Sequence, residues 1–439
     1  MKKKILLIAL LMSLIFSLSA QEISEKKEIA VFALSYYGWD IPANAFGLVD
    51  SEITDVFVNL GRFKVSSMEY RLSAKDVGAF INEIRKSKEQ NIEVSEDVRL
   101  GEATFTEADF NRLTGAFIVV VPVIAGYSTE INDDGNFETN ITSSFTFINV
   151  ETQETFASFN IETIGYGESR DEAIRSATSD IASQLTFEIR SVPEFILKTG
   201  IVEVFGRRKI LMEFGTNMGV KKGDEFVIMR TKVLESGHQL NQEAGLIKIN
   251  EVDETLSYGY VLYSKDAPYP GEQLKEIPRL GVDGSVYLNQ IGTTATMIGL
   301  RTEATRGFYG FRPIAGVEIP IAEGAPDWGL PVNAYVGGAA CWYMGRLFFQ
   351  PTVGAGIGGY IPISEIEEGD SIMDNLEMTH IGGFAEFKAS YLFSRDLRVF
   401  VDAGYAYWNG ILDDILGNYG FFGDTYKGSY IGAGVTLKL

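Results

Sequence analysis

Cysteine occurs once and histidine twice in 439 residues, and these shortages remove whole classes of function. The lone thiol, Cys341, cannot form an intramolecular disulfide. His238 and His380, with no cysteine cluster beside them, offer too few ligands for a structural zinc site. Neither stands at the spacing of a nucleophile elbow or a His-based triad. No segment reaches the ~18 apolar residues of a transmembrane helix, and there is no heptad array, solenoid period or low-complexity linker. Basic residues are scarce as well: 38 Lys and Arg face 59 Asp and Glu, a formal charge of −21. Phosphate backbones are met by clustered Lys and Arg, so a chain this acidic is a poor nucleic-acid binder.

Strings that look like chemistry fail on context. Gly354-Ala355-Gly356-Ile357-Gly358-Gly359 matches a dinucleotide-binding pattern literally. That motif must follow a strand and open a helix, whereas these glycines lie inside a predicted strand, with Gly354, Gly356 and Gly358 on one face. Asp133-Asp134-Gly135 is a fragment of a calcium loop without the remaining ligands and reads as a hairpin turn. Glu365, Glu367, Glu368 and Asp370, and separately Asp413 and Asp414, read as solvated loop charges rather than paired general acids. Enzymatic activity has no support in the sequence, and no cofactor or metal is expected.

What the chain does contain begins with Lys2, Lys3 and Lys4, an apolar run from Ile5 to Phe16, and Ser17-Leu18-Ser19-Ala20. This is the pattern of a secretory signal over residues 1–20, too short to span a membrane as a helix. Its removal takes the formal charge from −21 to about −24. No cysteine follows it, so attachment through an N-terminal lipidated Cys is not expected.

Residues 283–439 carry the strongest pattern. From Thr379 to Phe393, Ile381, Ala385, Phe387, Ala389, Tyr391 and Phe393 share one face. His380, Gly382, Phe384, Glu386, Lys388 and Ser390 share the other. After the tight turn Ser394-Arg395-Asp396, Leu397, Val399, Val401, Ala403, Tyr405 and Tyr407 alternate with Arg398, Phe400, Asp402, Gly404 and Ala406. The same reading predicts strands at 283–290, 294–304, 307–321, 330–343, 346–362, 377–393, 397–408 and 428–439, an even number suited to a small transmembrane antiparallel β-barrel. The first is short and is also compatible with membership of the preceding unit. Connections at 304–306, 343–346 and 394–396 are tight, whereas 322–329, 363–376 and 409–427 are long, as expected for periplasmic turns and outer loops. Trp342, Tyr343, Tyr391, Phe393, Tyr405 and Trp408 stand near strand ends, as in an interfacial girdle. A soluble barrel or sandwich is the alternative, with the apolar face turned inward.

On this facing, Arg301, Glu303, Arg312, Glu318, Glu386, Lys388, Arg398 and Asp402 point into the barrel. Eight-stranded interiors are filled by side chains, so the mixed signs predict a salt-bridged plug more readily than an open pore.

Pattern changes near Pro193 and from Pro278 to Gly281 divide the rest into residues 28–192 and 197–280. In the first, Ile29–Leu34 reads as a buried strand and Val49 to Leu60 as a helix with Gly61 as its C-cap. Then follow a short strand at Phe63–Ser66, a helix from about 74 to 86 and a buried strand at Phe117–Ile124. Two amphipathic strands follow, at Phe137–Asn149 and Thr155–Ile164. Ser169-Arg170-Asp171-Glu172 is a capping box, and Ile174, Ala177, Ile181, Leu185 and Ile189 form one stripe behind it. With Asn59-Leu60-Gly61-Arg62-Phe63-Lys64-Val65 and Asp171-Glu172-Ala173-Ile174, this order resembles the periplasmic curli-secretion-protein-like family, related in fold to the amino-terminal domain of the Tol translocation protein. That resemblance implies a periplasmic α/β domain with a binding or assembly role; the lipoprotein cysteine usual in such proteins is missing. The second unit has strands at Lys209–Phe214, Glu225–Arg230, Gly245–Glu251 and Ser257–Tyr263. Its run Met212-Glu213-Phe214-Gly215-Thr216-Asn217-Met218-Gly219-Val220-Lys221-Lys222-Gly223-Asp224-Glu225-Phe226 is similar to the carboxy-terminal domain of flagellar assembly protein T, which implies a small β domain. Gly215, Gly219 and Gly223 are expected to supply positive backbone torsions, and Lys221-Lys222 a solvated turn.

The sequence thus predicts a multidomain chain, with an α/β periplasmic domain, a small β-barrel domain and a C-terminal eight-stranded transmembrane barrel in the outer membrane. Its expected function is an anchored adaptor for an envelope or flagellar component. Outer-membrane lipid and an unidentified periplasmic protein are the expected partners. A pore or secretion conduit is the second reading. A surface adhesin, through Tyr419, Phe421, Phe422 and Tyr426, is the third.

Overall fold

The computed structural model describes residues 23–36, 41–71, 76–90, 97–100, 103–108, 118–133, 135–291, 295–321, 330–361, 377–410 and 426–439. The signal segment, the loop acids of 363–376 and 411–425, and the aromatic tip Tyr419, Phe421 and Phe422 lie outside the described residues.

The first unit comprises β1 (Lys27–Ala33), β2 (Ser35–Tyr36), α1 (Ala43–Asn59), β3 (Phe63–Arg71), α2 (Val77–Gln90), β4 (Val98–Leu100), β5 (Ala103–Phe105), β6 (Ile118–Ile131), β7 (Phe137–Asn149), β8 (Glu154–Gly167) and α3 (Arg170–Ser191). Its main sheet runs β3-β1-β6-β7-β8, parallel between β3, β1 and β6 and antiparallel from β6 onward. The stripe Ile174, Ala177, Ile181, Leu185 and Ile189 is fully buried against that sheet, each large side chain contributing about 1.5–3 kcal/mol. On the other face, Phe80 of α2 and Phe105 of β5 meet Phe32 edge to face. Ser169 Oγ accepts from the Glu172 N–H at 3.3 Å, but the reciprocal arm of the expected capping box is displaced: Glu172 Oε2 takes the N–H of Glu168, not of Ser169. The strand expected at 63–66 runs to Arg71, because β1 pairs along its whole length. Asp133 and Gly135 lie in the β6–β7 hairpin turn.

The second unit is a closed six-stranded barrel made of β9 (Lys198–Phe205), β10 (Lys209–Glu213), β11 (Glu225–Val233), β12 (Gln239–Val252), β13 (Leu256–Ser264) and β14 (Gln273–Ile277), in the order β10-β13-β12-β11-β14-β9. Gly219 and Gly223 adopt φ of 74° and 86°, as the turn requires. Gly215 does not: its φ is −136°, and the positive torsion falls on Phe214 at 79°. Gly215 is needed for room, since a Cβ there would sit 2.0 Å from the Asp253 carbonyl oxygen.

The third unit is an antiparallel barrel of eight long strands: β15 (Val282–Ile291), β16 (Ala295–Ala304), β17 (Phe311–Ile321), β18 (Leu330–Ala340) with its continuation β19 (Trp342–Met344), β20 (Leu347–Ile361), β21 (Glu377–Leu392), β22 (Leu397–Gly410) and β23 (Tyr426–Lys438). Pairing of β15 with β23 and of β18 with β20 leaves no free edge. The first strand belongs to this barrel, bonded to both β16 and β23. Polarity is inverted relative to a soluble barrel: outward positions such as Val336, Val353, Val401 and Ile431 are exposed, while Glu303, Arg312, Lys388 and Asp402 are buried. Trp408 departs from the expected girdle. It faces inward and is fully buried, as even-numbered positions of β22 must be. Cys341 is buried at the break between β18 and β19 rather than within a strand. Among the described residues, no helix is long and apolar enough to cross a membrane.

Candidate functional site

Strand alternation places Arg301 and Glu303 of β16, Arg312 and Glu318 of β17, Glu386 and Lys388 of β21, and Arg398 and Asp402 of β22 in the barrel interior, all buried. They assemble in two layers. In the layer nearer the tight turns, Glu303 is entirely enclosed and accepts from Arg312 Nη1 at 3.2 Å, Gln350 Nε2 at 3.1 Å and Lys388 Nζ. Asp283 takes Arg398 and, at 3.7 Å, Arg312. The Arg312 and Arg398 guanidiniums each lie about 5 Å from the Phe348 ring. In the second layer Arg301 forks onto Glu386, with Nη2 to Oε2 at 3.1 Å, and donates from Nε to the Tyr335 hydroxyl at 2.9 Å. Tyr430 O–H donates to Glu386 at 2.9 Å and Tyr287 O–H to Glu318 at 2.7 Å. Asn289 meets Asp402 Oδ1 through its amide at 3.1 Å. His380 is buried in the same interior, whereas His238 is exposed on a turn of the small barrel.

Alternation alone did not reveal Asp283, which sits at the first inward position of its strand, nor the hydroxyl and amide partners Tyr287, Tyr335, Tyr430 and Gln350. The pattern names a face but not the neighbours across it. A void of about 20 Å³ lies at the mouth, bordered by Glu225, Lys248 and Leu262 of the small barrel, and one of about 10 Å³ lies in the second layer, each with room for about one water.

A second ionic assembly fastens the three units together. Glu276 of β14 receives Arg62, which follows α1, at 2.7 Å and Arg190 of α3 at 2.8 Å. Arg190 reaches Asp224 at 3.2 Å, and Asp224 takes Arg306 of the β16–β17 turn at 2.9 Å. Burial would raise the Glu276 carboxyl, but Arg62 and Arg190 outweigh it and hold the group at about 2. Nearby, Glu225 accepts from Lys438 at 2.6 Å, Lys248 at 3.1 Å and Arg279 at 3.3 Å. Against the opposing effect of burial, these three cations hold it well below the ordinary carboxylate range. Burial pushes Lys248 down, with Glu225 partly restoring it. Apolar contacts reinforce the joint: Val227, Leu246, Leu262 and Ile277 of the small barrel cluster with Leu392 at the end of β21. Gly61 and Gly219, both at positive φ, let two backbones approach until a Cβ on Gly219 would lie 2.0 Å from the Leu60 carbonyl oxygen. The small barrel therefore covers the tight-turn mouth of the large one, and the α/β unit is clamped to the small barrel.

Where the α/β unit meets the small barrel, a cleft of about 760 Å³ opens between residues 23–28, the start of β3 and the segment 193–198, lined by Arg62, Phe63, Lys64, Leu197, Lys198 and Met218. This is within the usual range for a bound ligand or peptide segment. Lys221 and Lys222 are exposed at their turn. No group of three or more potential metal ligands occurs among the described residues.

No family model matches the chain, and no curated protein does. Several solved structures are similar over parts of it. The PelC dodecamer from Paraburkholderia phytofirmans shows 18% identity over 38% of this chain and 91% of its own, with a TM-score of 0.23. Neisserial surface protein A shows 12% identity over 36% of this chain and 94% of its own, TM-score 0.23. A de novo designed transmembrane β-barrel shows 13% identity over 36% and 94%, TM-score 0.22.

Proposed function

We propose that the chain is an outer-membrane protein whose large barrel is a sealed anchor and whose small barrel and α/β unit form a periplasmic adaptor for an envelope or assembly component. The observation that carries this reading is the pairing of an inverted large barrel with a mouth covered by another folded unit. Exposed Val336, Val353, Val401 and Ile431 need an apolar surrounding, and a closed barrel is the β-structure that satisfies every backbone group in hydrocarbon. The interior of paired charges supports an anchor over a conduit, because an ion would have to break buried pairs such as Glu303–Lys388 to pass. The ionic clamp through Glu276 and Asp224 supports a soluble half held in fixed relation to the membrane. The cleft of about 760 Å³ on that half is a place for a partner's segment.

The test is crosslinking in intact envelopes from residues of the soluble half, compared with crosslinking from the outward face of the large barrel. The adaptor reading expects one envelope protein to be trapped repeatedly from positions around the cleft, such as Lys64 and Lys198, and not from the barrel. Lipid adducts alone from both halves would remove it.

A further inference from the structure

The β11–β12 hairpin has a direction that the contacts along it define. At its root, Glu225 and its cross-strand partner Lys248 lie beneath the mouth of the large barrel: Glu225 holds Lys438, and Lys248 borders the void shared with Asp283 and Arg312. Two residues along, Val227 and its partner Leu246 join the cluster that contains Leu392, at the end of β21. Two further, Met229 faces Glu243, and Glu243 Oε1 lies 2.5 Å from Arg395 Nη1 in the rim turn Ser394–Asp396. The ribbon thus runs beneath the barrel mouth and along the rim turn, whose Arg395 carbonyl also receives Lys438 Nζ beside Glu225. It does not stop there. Residues Arg230 to Val233 remain paired with Gln239 to Gln242, and at about 3.4 Å per residue this carries Val233 roughly 14 Å past the level of Met229.

The faces of this overhang are sorted. Residues opposite one another in an antiparallel pair share a face, so Thr231, Val233, Gln239 and Asn241 point the same way as Glu243, toward the barrel rim. That face carries no charge beyond the paired Glu243. The other face holds Arg230, bound back to Asp266 and Glu272, and Lys232. The end of the arm exposes three apolar side chains, Val233, Leu234 and Leu240, at 63%, 39% and 43%, beside Glu235 and His238 of its turn. Phe393, immediately before the rim turn, presents its ring outward on the barrel wall.

We propose that the outer part of the β11–β12 hairpin rests on the lipid headgroup layer beside the barrel, as a second, superficial membrane contact that fixes the tilt of the soluble half. This rests on the reading of the large barrel as membrane-spanning. The occupant is a lipid surface because the arm overhangs the barrel rim at the height where the apolar wall ends, with its uncharged face turned toward that wall. Val233 and Leu234 are placed to enter the headgroup region by a few ångströms, as shallow interfacial segments do.

The test uses the full chain with Cys341→Ser, reconstituted in phosphatidylcholine and phosphatidylglycerol vesicles, with a single environment-sensitive label at Leu234→Cys, Val401→Cys or Glu254→Cys. Val401 reports the barrel wall, and Glu254 lies at the opposite end of β12 from the arm. The expected result is deep quenching by acyl-chain spin labels at Val401, quenching by headgroup-level spin labels at Leu234, and none at Glu254. A label at Leu234 that behaves like Glu254 while Val401 is quenched would overturn the arm's contact and leave the barrel reading intact. A blue-shifted Leu234 label insensitive to lipid quenchers would also overturn it, since a protein surface would then be the occupant. An unquenched Val401 would remove the membrane reading on which the inference rests.

Discussion

Which way a single side chain faces decides what its replacement costs. Ala403 is exposed on the outer wall and its neighbour Gly404 points inward. Ala403→Arg is expected to cost roughly 2–4 kcal/mol in lipid if the position is near the midplane, read as a lower urea midpoint of the vesicle-bound barrel. Gly404→Ser is destabilising for a different reason: a Cβ there would meet the Ala385 carbonyl oxygen at 2.6 Å and the Tyr430 ring at 2.7 Å. Detergent should tell the two apart. The Arg penalty falls when lipid is replaced by a fluid micelle, whereas the steric one persists. Glu276 gives a pH signature. Its folded-state value, about 2, lies below the ordinary 4.5. Its stabilisation is thus complete above about pH 4.5 and drains away as pH falls toward 2. The α/β unit should separate from the small barrel in that window, detected by proteolysis near residues 193–196. Glu276→Gln should lose roughly 3–5 kcal/mol at neutral pH, because Arg62 keeps its burial without a counter-charge and Arg190 retains only Asp224, and its clamp should no longer respond to acid between those limits.

At the scale of elements, strands and helices were legible to different depths. The large-barrel strands could be read nearly end to end, because period-two alternation between two unlike surroundings persists for 10–16 residues in the long strands apart from β19. Where a turn intervenes the reading drifts: β17 was expected from 307 and begins at Phe311, since Thr305 to Gly310 turn to meet the small barrel at Lys222 and Gly223. In the small barrel β9 and β14 escaped notice. Their strands are short or interrupted by charge, and the acids Glu225, Glu272 and Glu276 that would argue for exposure are buried by cations from distant segments. The interior charges could be assigned a face, but their pairing across strands depends on closure and register, which no local pattern encodes. Closure itself is testable. Deleting Gly428 to Leu439 removes the strand bonded to both β15 and β22. The truncated chain is expected to lose the heat-modifiable band of a folded barrel while the α/β unit and the small barrel still fold. Because Lys438 is lost with it, the face formed by Val227, Leu246, Leu262 and Ile277 should become bare and bind a hydrophobic dye.

For the whole molecule, the arrangement is a stack: a barrel filled by ion pairs, a six-stranded barrel over its mouth, and an α/β unit clamped beyond that through Glu276. Position in this stack explains why so many charges are buried in an acidic chain, since each joint is made of carboxylates from one unit and guanidinium or ammonium groups from its neighbour. The same placement separates an anchor from a conduit, which is the central claim. The decisive measurement is ion conductance of the full chain in planar bilayers, after the inserted protein has been shown to give the heat-modifiable band. A sealed anchor predicts current indistinguishable from that of the protein-free bilayer across the voltage range. Discrete, reproducible conductance steps from the intact chain would contradict it.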